Sequence, residues 1–273
     1  MRLLHLLLVL PLIVTLVPSF AEDVAAIGAR AQLVGVSKFS DDVPDAKALP
    51  VVADFASVDA ERIIALHPGV VVGIPSQVLL VAPLQRAGIR VVLLEDDGYD
   101  DIFANMRELG RLCGHEAQAE AEVERLRAET ARLVATVPHR VTPPSVFVAL
   151  GTAPIWTAGP SSYVARLIEL AGGRDAASDL QMPWGEYGEE ALLRAQPDAI
   201  VSDRDTNLAA VEGSEPWRSL RAVREGHVFI TDSRVDTALF RPGPRYNEGL
   251  RWLIERLSSL SIPTTPSVRS NRN

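Results

Sequence analysis

MPWGEYGEEALLRAQPDAIVS, residues 182–202, repeats the pattern of DFASVDAERIIALHPGVVVG, residues 54–73. An offset of 129 positions (190 less 61) lays Glu190 on Glu61, Leu192 on Ile63, Leu193 on Ile64, Pro197 on Pro68, Val201 on Val72 and Trp184 on Phe55. Each copy reads as an aromatic residue in a loop, then a short helix whose paired aliphatics face inward, then an Xaa-Pro step. The proline ends the helix, because it lacks an N–H and crowds the turn before it. The apolar runs that follow, Val70-Val71-Val72 and Ala199-Ile200-Val201, are of the kind buried on both faces of a parallel sheet. Two helix-to-strand units this far apart predict two similar, Rossmann-like α/β lobes. Ligands of such sheets settle at the carboxyl ends of the strands, so paired lobes share one cleft, with Phe55 and Trp184 on opposite walls.

The bulk composition allows this and excludes much else. A chain of 273 residues that is 47% hydrophobic has material for two packed cores. A net charge of −8 with no basic run argues against nucleic acid or an anionic membrane surface as partner, since such binding neutralises phosphate with clustered cations. Cys113 is the single cysteine, so no internal disulfide, thiolate cluster or lipoprotein cysteine near the amino terminus is expected. Its expected role is that of a small buried hydrophobe. The five histidines, His5, His67, His115, His139 and His227, show no pair at ligand spacing, and no dedicated metal site is expected.

In chain order, Met1 to Ala21 has the look of a secretory signal, with Arg2, an apolar run Leu3 to Leu10, and Ser19 and Ala21 as small residues at a cleavage site. A transmembrane anchor is an alternative weakened by Pro11, Thr15 and Pro18. Leu33 to Val36 reads as a strand that ends in the polar loop Ser37 to Asp42. Asp59 caps a helix Ala60 to Leu66, Val70 to Val72 is the next strand, Val78 to Ala87 a helix closed by Gly88, and Ile89 to Leu94 another strand. Asp100 to Leu112 is amphipathic. His115 to Val137 runs without proline or glycine, as a helix with Val123, Leu126, Leu133 and Val134 on one stripe. After Pro143-Pro144 the second lobe begins with strand Val146 to Leu150. It continues through a loop carrying Trp156, helix Tyr163 to Leu170, strand His227 to Thr231, the loop Asp232 to Arg245 and a closing helix Asn247 to Leu260. The expected organisation is 1–12 an export signal or its remnant, 13–113 the first lobe, 114–138 a rigid connecting helix, 139–260 the second lobe, and 261–273 a polar tail.

Ile13-Val-Thr-Leu-Val-Pro-Ser19, Leu33-Val-Gly-Val-Ser37, the first twin motif, Trp156-Thr-Ala-Gly159, Leu170-Ala-Gly-Gly173, Pro183-Trp184 and Arg241-Pro-Gly-Pro244 follow one another in an order of their own. That ordered series, spanning Ile13 to Leu260, resembles the solute-binding proteins of vitamin B12, haem and ferric-siderophore ABC importers, the vitamin B12 members closest in pattern. The resemblance implies two lobes on a single helical spine, with a small hinge motion. It implies export to the periplasm, an ABC permease dimer as partner, a monomeric chain, and a bulky cobalt or iron chelate as cargo, with no cofactor of the protein's own. A corrinoid comes first, haem second and a ferric siderophore third. It also makes Ile13 to Ser19 the first core strand and its cleft-facing turn, which a cut after Ala21 would delete. Either part of an export signal then precedes Met1, or Met1 to about Leu10 is a shortened signal fused to the strand.

The same resemblance makes Trp184 a ligand contact and brings Ser19 to the cleft. Flat apolar macrocycles are stacked by aromatic rings, so Trp156, Phe39, Phe55, Tyr187 and Phe240 join Trp184 as candidates, with Arg241 the leading charged one. Each ring has the alternative of packing under its own loop, and each charge of being simply solvated. Relatives dock on their transporters through an acidic residue on each lobe. Glu190 or Glu189 matches the second-lobe position, whereas the first falls near Val78, where no acid stands, and Glu61 is its substitute if exposed. The alternative for Glu189 and Glu190 is a favourable interaction with the dipole of their own helix. No nucleophile elbow, phosphate loop or His-Glu-x-x-His is present, so catalytic residues are not expected, and a hydrolase or transferase of unrecognised chemistry is the alternative from another class.

Overall fold

Ile13–Thr15 (β1) lies fully buried in the middle of five parallel strands of the computed structural model, which describes residues 10–260. Its neighbours are Leu33–Ser37 (β2) on one side and Val70–Gly73 (β4) on the other. Val51–Ala53 (β3) and Val91–Leu93 (β5) form the edges, in the order β3-β2-β1-β4-β5. Ile13, Val14 and Thr15 pair with Val70, Val71 and Val72 in register. The first twin motif therefore supplies the strand beside the centre, and unbroken valines suit a strand covered on both faces. A cut after Ala21 would remove β1 and part of the helix that follows it, so the secretory-signal reading of Met1 to Ala21 is corrected from Leu10 onward. Met1 to Val9 and the tail 261–273 lie outside the described residues. Among the described residues no helix is long and apolar enough to cross a membrane.

Helices Pro18–Ala26 (α1), Ala60–Ala65 (α2), Ala82–Arg86 (α3) and Tyr99–Cys113 (α4) connect and cover this sheet. Two of them start where prolines dictate. α1 begins at Pro18, and α3 begins beside Pro83, after the expected Val78. A proline fits the first turn of a helix, where its missing N–H has no partner to lose, and not the interior. Asp59 caps α2 as expected, accepting from the Arg62 N–H at 3.0 Å.

Glu116–Val134 (α5) follows the left-handed Gly114 and buries Ala119, Val123, Leu126, Thr130 and Leu133 as one stripe, with Thr130 in place of the expected Val134. The second sheet has Val228–Ile230 (β11), Ala199–Ser202 (β10), Ser145–Ala149 (β6) and Arg174–Asp175 (β8), parallel and in the order β11-β10-β6-β8. A separate antiparallel ribbon pairs Trp156–Ala158 (β7) with Trp184–Glu186 (β9), so both tryptophans expected in loops stand on strands. Tyr163–Leu170 (α6), Glu189–Ala195 (α7), Arg221–Arg224 (α8), Ser233–Leu239 (α9) and Tyr246–Ser258 (α10) complete this half. The helix α9 occupies part of the expected Asp232 to Arg245 loop, capped by the Asp232 carboxylate on the Arg234 and Val235 N–H groups.

One apolar core runs through both halves along α5, which packs between α4 and α10. At its centre Tyr246 meets Tyr99 and Phe103 edge-on, at 5.5 and 5.9 Å between ring centroids. The Tyr246 hydroxyl lies 2.7 Å from Thr130 Oγ1, and Asn247 Nδ2 donates to the Leu126 carbonyl. These bonds satisfy polar groups that burial would otherwise penalise, and they join the connecting helix to the closing helix.

Candidate functional site

In the first sheet the chain winds outward from β1 through β2 to β3, then crosses back to β4 on the other side of β1. The loops after β1 and β4 diverge there, leaving a crevice at the carboxyl ends of the strands. A cavity of about 70 Å³ lies in it, lined by Leu16 to Pro18 after β1, Ser37 to Phe39 after β2, Asp54 and Phe55 after β3, and Ile74, Ser76 and Gln77 after β4. It is too small for a macrocycle and suits an edge group of one. Phe39 and Phe55 stand at its rim with ring centroids 6.2 Å apart, 46% and 82% exposed, and Lys38 Nζ lies 5.0 Å from the Phe39 centroid. Burial normally takes up phenylalanine, so two exposed rings side by side form a surface in want of a partner.

The second half brings its own aromatic surface on the β7–β9 ribbon. Ala158 faces Trp184 and Trp156 faces Glu186, so both indoles project from one face of the ribbon, on diagonal positions. Trp156 is 39% exposed. Trp184 is half-buried, with its ring centroid 5.6 Å from that of Tyr163. Alternation sends Tyr187 to the opposite face, where it is buried against Phe147 and donates to Asp179 at 2.7 Å. Tyr187 thus belongs to the core of the second half, a correction to its place among the ligand candidates. Phe240 ends α9, half-buried and packed against the main core.

The carboxyl ends of the two sheets meet. The Tyr163 N–H, opening α6, donates to the Asp97 carbonyl after β5 at 2.7 Å, and the Tyr163 ring lies in turn against Trp184. On the other side, Arg241 reaches Glu22 of α1 at 3.3 Å and Asp42 at 3.4 Å, while Arg245 reaches Asp42 at 2.9 Å. A Cβ on Gly243 would come within 3.6 Å of Ser19, so the Arg241 to Pro244 turn lies directly against the start of α1. Ser19 is buried under that turn, not open to a cleft. Arg241 is engaged by two carboxylates of the other half and acts as a bolt between halves in this structure.

Electrostatically the junction is acidic. Burial, partly offset by Arg241, raises Glu22 to about 7. Burial and the neighbouring Asp97, Asp101 and Glu95 raise Asp96 to about 7. Burial and Asp101 also raise Asp97. The sequence reading missed Asp96, Asp97, Tyr163 and Arg245. A signal was available for the first two, since Glu95-Asp96-Asp97 is an acidic run at the carboxyl end of a strand.

The remaining candidates stand elsewhere. Glu189 and Glu190 open α7, exposed, the latter 95% so, and Glu61 in the first turn of α2 is exposed as well. Val78 and Leu79 are exposed apolar residues where the first-lobe acid would fall. Cys113 is fully buried and its thiol pushed up to about 11 by burial. Among the described residues no group of three His, Cys, Asp or Glu could hold a metal ion. A wider groove of about 630 Å³ lies along α4, α5 and α6, past Phe103, Arg127 and Leu170, but no strand end opens into it.

Residues 13–235 match the periplasmic binding protein family. The vitamin B12-binding protein of Pectobacterium carotovorum is 32% identical over 255 residues, covering 91% of this chain and 89% of that protein. Among solved structures, a periplasmic heme-binding protein from Pseudomonas aeruginosa is 28% identical with a TM-score of 0.77, covering 94% of this chain and 96% of its own. The periplasmic vitamin B12-binding protein of Vibrio cholerae, at 24% identity and a TM-score of 0.74, covers 90% of this chain and 96% of its own and shares the fold. With a match across most of its length, and with paired parallel sheets whose strand ends meet, the chain belongs to the periplasmic binding protein family.

Proposed function

We propose that this chain is an exported solute-binding protein that takes up a bulky metal chelate, a corrinoid first, between lobes 13–113 and 139–260, and delivers it to the permease dimer of an ABC importer. The observation that carries the reading is the pairing of aromatic surfaces near the strand ends of both halves, the exposed Phe39 and Phe55 on one and the exposed Trp156 with the half-buried Trp184 on the other. Rings at this height offer a rigid planar molecule stacking area at little entropic cost. The 32% identity to a vitamin B12-binding protein supports a corrinoid, and a relative from Bacillus subtilis, 28% identical, is an ABC transporter substrate-binding lipoprotein, which supports an importer as partner. The cobalt or iron belongs to the cargo and not to the protein. The helix α5 serves as the spine, so binding rotates the lobes by a small angle. Glu190, with Glu189, is the docking acid of the second lobe.

Haem is the second reading, favoured by the 28% identity to the Pseudomonas aeruginosa structure. Incubating the purified chain with cyanocobalamin, haem or a ferric hydroxamate, followed by gel filtration and an absorbance scan of the protein peak, tests the reading and separates the cargoes. Co-elution of corrin absorbance is expected. Haem absorbance alone would move the cargo to the second reading, and protein free of all three chelates would overturn the function.

A further inference from the structure

We infer that Lys38 is a specificity-determining residue whose ammonium receives an anionic oxygen group, phosphodiester or carboxylate, on the edge of the ligand. The inference rests on the proposed function, in that it takes the ligand to reach the rings of Phe39 and Phe55.

Lys38 and Phe39 stand on a strained turn. Phe39 has a φ of 69°, in the left-handed region that a bulky side chain rarely adopts, and the Ser40 hydroxyl closes the turn by donating to the Ser37 carbonyl at 2.9 Å. Strain of this kind clusters where side chains are presented to ligands. The Lys38 N–H donates to the Ala53 carbonyl at 2.8 Å, which ties the base of the turn to the edge strand β3. From that base the ammonium lies over the Phe39 ring, 5.0 Å from its centroid, and the Phe55 ring is 6.2 Å from that of Phe39.

Among the described residues that line the cavity beneath these rings, Lys38 is the one cation. Other polar side chains of the lining are spent on the fold. The Gln77 amide accepts from the Ile74 N–H and donates to the Leu16 carbonyl, and Asp54 Oδ1 accepts from the Ala56 and Ser57 N–H groups and the Ser57 hydroxyl. Asp42, in the loop that carries Lys38, is engaged by Arg241 and Arg245. Among the described residues Lys38 itself enters no ion pair, in a chain whose net charge is −8. Its one close partner is an exposed aromatic face, and such a contact is weaker than a charge-assisted hydrogen bond to an oxyanion. An arriving phosphodiester or carboxylate therefore displaces the ring, and the flexible stem of a lysine lets its three donors turn to meet it. The cavity of about 70 Å³ has room for such a peripheral group and none for a ring system. The discriminated classes are thus macrocycles that carry an oxyanion at the periphery against macrocycles whose edge is uncharged.

The experiment uses two pairs of probes. Cyanocobalamin is set against dicyanocobinamide, the same corrin ring without the phosphodiester and nucleotide, and haem against its dimethyl ester, the same porphyrin without free carboxylates. Dissociation constants are measured by calorimetry for the full chain, for Lys38→Met and for Lys47→Met, the last altering an exposed lysine outside the cavity lining. Lys38→Met should weaken the anionic member of at least one pair about tenfold and its uncharged counterpart by no more than about twofold, and Lys47→Met should change neither. A loss confined to cyanocobalamin identifies the group as the phosphodiester, and one confined to haem as a carboxylate. A second measurement needs no variant, because Lys38 and Lys47 are the only lysines of the chain. Acetylation by an N-hydroxysuccinimide ester, read by peptide mass spectrometry, should be slowed at Lys38 and not at Lys47 when the bound chelate is present. Equal losses for both members of every bound pair, or a Lys38 acetylated as fast with ligand as without, overturns the role of Lys38 and leaves the proposed function standing. A chain that binds none of the four probes overturns the inference together with that function.

Discussion

Phe55 and Trp184 hold the same place in the two copies of the repeat, yet one ring is 82% exposed and the other is half-buried against Tyr163. Behind them the copies are alike. Ile63 and Leu192, and then Val72 and Val201, are fully buried at matching positions of helix and strand. The difference arises ahead of the helix. The first copy precedes α2 with a three-residue edge strand and an Asp54 turn, in which the carboxylate accepts from Ala56, Ser57 and the Ser57 hydroxyl. The second replaces that turn with the β7–β9 ribbon, which sets Trp184 against Tyr163. The helix-to-strand core sets the fold, and the loop in front of it is where the two halves take different parts in binding.

Four experiments press on this comparison. The largest effect is expected at the exposed acids of the two helices. Glu190→Arg should abolish stimulation of the transporter ATPase while ligand affinity and thermal stability stay within error, because reversal sets like charges against each other at an interface. Glu61→Arg should weaken stimulation if the first copy docks in the same manner. Surviving stimulation in the first variant, or a fall in stability, would return Glu190 to a purely helical role.

Next come the aromatics themselves. Trp184→Ala should lower the unfolding free energy by about 2–3 kcal/mol, as for a partly buried ring packed against Tyr163 and the main core, and Phe55→Ala by no more than about 0.5 kcal/mol. Equal losses in urea titrations would contradict the different burial of the pair. Smaller still is the effect of the caps. Asp59→Ala removes the α2 cap and should cost about 1 kcal/mol. At the matching position Gly188 has no side-chain cap, a φ of −70°, and open space where a Cβ would go, so Gly188→Ser should stabilise by about 0.5 kcal/mol.

The last effect is a drift with pH. Glu22 and Asp96 in the first half are raised to about 7, and Asp175 in the second to about 6, all chiefly by burial. The folded chain therefore keeps protons that the unfolded chain has shed, so stability falls as pH rises from about 5 to about 8 and then levels off. Asp96→Asn should flatten that slope and raise Tm at pH 8 by roughly 2 °C. A Tm that climbs over this range would contradict the burial of these acids.

What could be read from the residues alone followed from locality. Strands β2, β4, β6 and β10 were visible because each is an apolar run next to a turn signal, and the end of α6 was legible from Gly172-Gly173, whereas its Ser162 cap shows only in the structure. β3 escaped, since Val51–Ala53 is three residues behind Pro50 and owes its existence to pairing with β2. The ribbon escaped for the same reason: Trp156 and Trp184 are far apart in sequence, and only the register Trp156 to Glu186 makes them one surface. Of the candidate site, the aromatic members were legible as large rings beside proline and glycine. Tyr187 was misread because the alternation that buries it belongs to a strand that pairing creates. The acidic junction was the least legible part, because charge in a loop signifies nothing until, among the described residues, Asp96 and Asp97 are seen to make no ion pair while Arg241 is engaged by Glu22 and Asp42.

The central claim, a chelate held between the two halves against Trp184, is tested most directly by titrating cyanocobalamin into the full chain and into Trp184→Ala, followed by absorbance or calorimetry. Saturable binding to the full chain, weakened by about 1–3 kcal/mol in the variant, is the predicted result, as for loss of a desolvated aromatic anchor. Equal affinity in the two proteins would remove Trp184 from the site and contradict the account.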